Sequence, residues 1–140
     1  AGVVPATVEV TPTRLRDVFA LALDNAVEGC VHEAFAAVLC RFQAVTCRDL
    51  ALAADLDVIA EDEARHGELA WAIARWLEPQ LTAAQRAVVE RARAVALAAL
   101  AERTARQLAP FAMAAAPLGM PSGAQARVLA HGFAAALAAA

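Results

Sequence analysis

A chain of 140 residues is the size of one domain with a sizeable core. Its formal charge is −3 and all twelve basic residues are arginine, so nothing points to a nucleic-acid partner. No run of 18 uncharged apolar residues precedes residue 107, and Pro110, Pro117 and Pro121 break the apolar stretch that follows, so no membrane-spanning segment is expected.

Alanine dominates, Tyr and Lys are absent, and Gly and Pro are scarce inside the periodic segments. That composition favours helix nearly everywhere. Residues 1–12, with Pro5, Pro12 and several β-branched side chains, form an extended or mobile segment. Thr13 caps a first helix running to about Ala44. Thr46, with Asp49 three residues on, resembles the acidic form of a capping box and opens a second helix that runs to Leu77. Glu78-Pro79-Gln80 ends it. Thr82 caps a third helix reaching about Leu108. After the Pro-rich stretch 110–121, Ser122 and Gly123 open a short fourth helix to the C-terminus. Short loops between long helices imply an all-α, antiparallel four-helix bundle, one domain over 1–140.

The second helix holds the most informative residues. Leu52, Leu56, Ile59, Glu63, His66, Ala70, Ile73 and Leu77 follow steps of three and four, which makes one stripe. Asp57, Glu61, Arg65, Glu68 and Arg75 point the other way. A carboxylate and an imidazole thus stand where a helix normally buries leucine. A lone buried charge costs several kcal/mol, roughly, unless it is paired or bound to a metal. With a turn near Ala44 to Thr46, the first helix faces position 63 with residues near 27. Glu28 stands there, on a stripe with Leu21, Phe35 and Leu39, and His32 lies one turn beyond it. Glu33 is the rival for that place if the turn is shifted by a few residues. The candidate metal ligands are therefore Glu28, Glu63, His66 and His32, with no catalytic residue assigned.

The segments Asp24-Asn25-Ala26-Val27-Glu28-Gly29-Cys30 and Ile59-Ala60-Glu61-Asp62-Glu63-Ala64-Arg65-His66-Gly67-Glu68-Leu69-Ala70-Trp71 resemble the ferritin-like superfamily, most closely small bacterial ferritin-like domains. The resemblance covers about residues 14–77. It implies a ferritin-like bundle in which Glu63 bridges two ions while Glu28 and His66 are terminal ligands. It departs in the second half. A complete di-iron bundle needs another Glu and another Glu-x-x-His. The third helix has only Glu90, opposite the stripe Val88, Ala92, Val95 and Ala99, and Glu102 near its end; the fourth has only His131.

One chain therefore carries half a site. A homodimer or higher homo-oligomer joining two half-sites, a single ion held by one chain, and a degenerate site without metal are the three outcomes. Iron, as a di-iron or single-ion site, suits the carboxylate and imidazole set, and Mn or Zn also fit. The function expected first is metal-dependent oxygen or peroxide chemistry, including ferroxidase-type oxidation of iron. The alternative is a metal-free structural or interaction module. Cys30, Cys40 and Cys47 match no metal-finger spacing, although Cys40 and Cys47 flank the first turn at a separation compatible with a disulfide. Nothing in the residues specifies a compartment beyond a cytoplasmic default. A start at Ala1 without Met is compatible with removal of an upstream signal from an exported form.

Overall fold

The computed structural model describes residues 15–111 and 115–139. Among them there is no strand, and four helical rods account for most of the chain. The expected extended segment 1–12 and the expected cap at Thr13 lie outside the described residues.

The first rod is continuous but not uniform. Asp17 caps α1 (Val18–Asp24), its side chain accepting from the Ala20 N–H at 2.7 Å. The chain then widens into a π-helical segment over Asn25–Glu33 before returning to α geometry in α2 (Ala34–Thr46). A π turn bonds i to i+5, so each residue advances less around the axis than in an α-helix. Nine such residues put α2 out of phase with α1.

The remaining boundaries follow local chemistry. Asp49, rather than Thr46, caps α3 (Leu50–Leu77), accepting from the Ala51 and Leu52 N–H groups. Thr46 instead ends the first rod, donating its hydroxyl to Phe42 O and Gly119 O. A 3-10 turn at Glu78–Gln80 stops α3 at the proline. A full capping box between Thr82 and Gln85 starts α4 (Ala83–Leu108). Further 3-10 turns lie at Ala109–Phe111 and Ala116–Leu118. Ser122 and Gln125 exchange hydrogen bonds at the start of α5 (Gly123–Ala139). Gly119, at φ 80°, packs so tightly on the end of α2 that a Cβ there would lie 2.4 Å from Gln43 O.

The first rod is the spine. On one side it forms a hairpin with α3: Arg41 pairs with Asp57, Ala34 meets Gly67, and Asn25 and Cys30 reach Ala70. On the other side the rod packs against α4, which in turn carries α5. Val31 and Phe35 join Ala96, Leu100, Ala101 and Ala130 in one core cluster, and Phe35 meets Phe133 at 5.5 Å between ring centroids. Ala22, Ala26, Leu77, Leu81 and Val89 form a second. The buried face of α4 thus runs through Val89, Ala96 and Leu100. The stripe of Val88, Ala92, Val95 and Ala99 sits at its edge, and Val95 is 64% exposed.

The hairpin seam is built from small residues. A Cβ on Gly29 would lie 2.8 Å from Ala70 Cβ and 2.7 Å from Asn25 Oδ1. Asn25 donates from Nδ2 to Ala70 O at 2.9 Å. Gly29→Ala is therefore expected to destabilise the fold by about 1–3 kcal/mol through overpacking. Gly132→Ala, in open space inside α5, is expected to stabilise it by up to about 1 kcal/mol through helix propensity. Denaturant midpoints of the two variants check the contrast.

Between α4 and α5, Arg127 grips Glu102 with Nε and Nη2 at 2.6 and 3.0 Å. The bond from Arg127 holds the Glu102 carboxyl below the usual carboxylate range. A depressed folded-state value contributes stability above the unfolded value, lost as pH falls through the folded one. Acidification should therefore lower the melting midpoint of the wild type more than that of Glu102→Gln.

Candidate functional site

The four residues expected to share a metal fall into two separate pairs. Glu28 and His32 leave the π segment on the α4 side. Glu28 Oε2 lies 2.9 Å from His32 Nδ1, and His32 Nε2 lies 2.9 Å from Arg103 Nη1. One tautomer serves both contacts, with Nδ1–H donating to Glu28 and Nε2 accepting from Arg103. Both ring nitrogens are then engaged, and a guanidinium stands where a cation would have to approach. The Glu28 side chain is 64% exposed.

Glu63 and His66 occupy the hairpin side. His66 Nδ1 is 3.6 Å from Glu63 Oε2, close enough for an ion pair and too long for a hydrogen bond. Glu63 is half-buried, on the seam that continues through Leu56, Ala60, Gly67, Ala70 and Leu77. His66 is exposed, at the edge of a shallow pocket of about 230 Å³ that Glu33, Asn25, Leu69 and Ile73 also line. The acid of the first rod on the His66 side is therefore Glu33, not Glu28. The reason is the turn: it lies at 47–49 rather than at Ala44 to Thr46, so the hairpin sets Ala34 against Gly67 and Arg41 against Asp57, and position 63 faces residues well beyond Glu28.

These positions do not make a metal site within one chain. Among the described residues, no three His, Cys, Asp or Glu side chains come close enough to hold an ion. Glu63 with His66 supplies two donors, and neither Glu28 nor His32 joins them. The described residues of one chain do not group into a di-iron or single-ion centre, and no reaction step follows from them.

Other polar features surround the seam. The three cysteines are free, so no disulfide joins Cys40 to Cys47, and the Cys47 thiol donates to Asp49 O. Burial pushes the Cys30 thiol up, offset in part by the positive charges of Arg93 and Arg75. Burial also raises the Cys40 thiol, and the Glu63 carboxylate adds to that. His131 is exposed on α5. Trp71 is half-buried beneath Arg93, whereas Trp76 is 63% exposed. The roles of Arg103 and Arg93 carry no local sequence signal, because each meets its partner across the fold.

The chain matches no protein-family model, no curated protein and no solved structure.

A raised thiol carries less reactive thiolate at a given pH. In the folded protein at pH 8, a disulfide reagent should therefore modify Cys47 first and Cys30 only on unfolding. Peptide mapping after timed quenching checks the order. Early labelling of Cys30 would contradict its burial.

Proposed function

We propose that this chain is a helical interaction module whose hairpin of first rod and α3 pairs with the same hairpin of a second copy. The two would complete an antiparallel, ferritin-like four-helix bundle between chains. One observation carries the reading: the middle of α3 meets the first rod through Ala60, Gly67 and Ala70, while its large apolar side chains stay uncovered. Ile59 is 44% exposed and Leu69 58%, and they share a stripe with His66, Ile73 and Trp76. An apolar stripe is self-complementary about a twofold axis, which is the commonest route to a homodimer. Covering Ile59 and Leu69 contributes roughly 1.5–3 kcal/mol apiece before the cost of association.

A second reading keeps the metal. Glu33 and His66 line one pocket, and Glu63 lies beside His66 on the same open side. Two copies meeting there would bring two such sets together, each supplying donors the other lacks. Iron, Mn or Zn suit carboxylate and imidazole donors. A ferroxidase-type role belongs to this reading alone.

Native mass spectrometry of the full chain, with metal content per chain, tests both. The interaction module is expected to be a dimer or larger, and Ile59→Glu with Leu69→Glu should give a monomer of unchanged helicity. A monomeric wild type at tens of micromolar would overturn it. A dimer carrying stoichiometric iron that Glu33→Ala removes favours the second reading; a metal-free dimer favours the first.

A further inference from the structure

A cavity of about 130 Å³ lies away from Glu63 and His66, where the end of α3 and the start of α4 come together over Ala22 of α1. Its apolar wall includes Leu77 and Val89, both buried, and the indole of Trp71. Arg75, Arg86 and Arg93 also line it. Among the described residues, none of these three guanidiniums has a carboxylate within 4.0 Å, although Glu78 and Glu90 stand at the same cavity. Arg86 is committed to backbone, with Nη1 donating to Leu81 O at 2.7 Å.

Arg93 is the unexplained member. Its guanidinium carbon sits 4.9 Å from the centre of the Trp71 ring, an arrangement that holds the group over the indole face. Its Nε is buried and has no hydrogen-bond acceptor. A buried donor on a charged group without an acceptor is costly, and native structures rarely leave one without a reason. The positive field also extends inward, since Arg93 and then Arg75 pull the Cys30 thiol down against the larger upward push of burial.

We propose that this cavity binds a small monocarboxylate with a compact apolar body, its oxygens taken by Arg93 and Arg75 and its body by Trp71, Leu77 and Val89. The donor set fits a carboxylate because a guanidinium offers paired N–H groups in the plane of the two oxygens. The apolar wall favours an organic anion over a bare, strongly hydrated one. Glu78 and Glu90 leave the surroundings only one positive charge in excess, which disfavours anions of higher charge. Size sets the body: a cavity of about 150 Å³ holds a benzene ring, and this slightly smaller, partly open one makes a single ring the upper limit for the apolar body, with the carboxylate against the guanidiniums.

The test uses the full chain carrying Trp76→Phe, so that Trp71 is the only indole. Benzoate is titrated at constant ionic strength, with benzyl alcohol and inorganic phosphate in parallel. Saturable benzoate quenching of Trp71, with a raised melting midpoint, is expected. Benzyl alcohol should bind at least about tenfold more weakly because it lacks the charge-assisted pairing, phosphate because it lacks the apolar body, and benzoate should bind Arg93→Gln as weakly because one such pairing is lost. If Arg93→Gln does not fold, Arg75→Gln is expected to show the same loss. No saturable response to benzoate would overturn the proposal. Equal binding of benzyl alcohol would mean an apolar cavity only, equal binding of phosphate a general anion site, and full affinity in the folded variant an unrelated site; each contradicts it.

Discussion

Two helices approach backbone to backbone only where nothing larger than a methyl group stands between them. In this chain that condition is met at Gly29 against Ala70 and at Ala34 against Gly67. Asn25 locks the approach by donating to Ala70 O, and the Cys30 thiol reaches the same carbonyl at 3.6 Å. The contact coincides with the π segment. A glycine inside a helix weakens α propensity, and a tertiary bond from Asn25 rewards a backbone that has widened to fit. The seam is therefore held by close backbone packing and a hydrogen bond from the Asn25 side-chain amide rather than by interlocking leucines.

This choice decides where the charges go. With Gly29 and Ala34 turned to α3, Glu28 and His32 project toward Arg103 of α4 and Glu33 lies on the side of His66. It also decides which surface stays bare. A seam of Ala and Gly buries little apolar area, so Ile59, Leu69 and Trp76 on the flank of α3 stay 44–63% exposed. Core clusters form instead around Phe35 and Leu100 and around Leu77 and Val89, which tie the first rod to α4. The hairpin is thus packed on one side and open on the other.

Element ends were largely legible in the residues, because capping and proline act locally. Thr82 with Gln85, Ser122 with Gln125 and the stop at Pro79 required nothing beyond neighbours three or four positions apart. The second cap slipped by three residues because Thr46 and Asp49 both carry capping oxygens, and Thr46 is drawn to Gly119 across the fold. The candidate site was legible only in part. Glu63 and His66 do share one side of α3, but the partner from the first rod depended on a turn near Ala44 to Thr46, and the turn lies at 47–49. The register that follows, with Ala34 against Gly67 and Arg41 against Asp57, is set by contacts across the hairpin and carries no local signal. The burial of α4 was likewise displaced by one residue, from Val88 to Val89, since an alanine-rich helix offers two nearly equivalent apolar stripes.

The most direct check on the packed seam is a proton NMR experiment on the isotopically labelled chain. Strong cross-relaxation between the Gly29 α-protons and the Ala70 methyl is expected, together with contacts from the Glu28 side chain to the His32 ring. Cross-peaks joining the Glu28 side chain to Glu63 or to the His66 ring would contradict the account, because they would place Glu28 on the face of the first rod that Gly29 and Ala34 turn to α3.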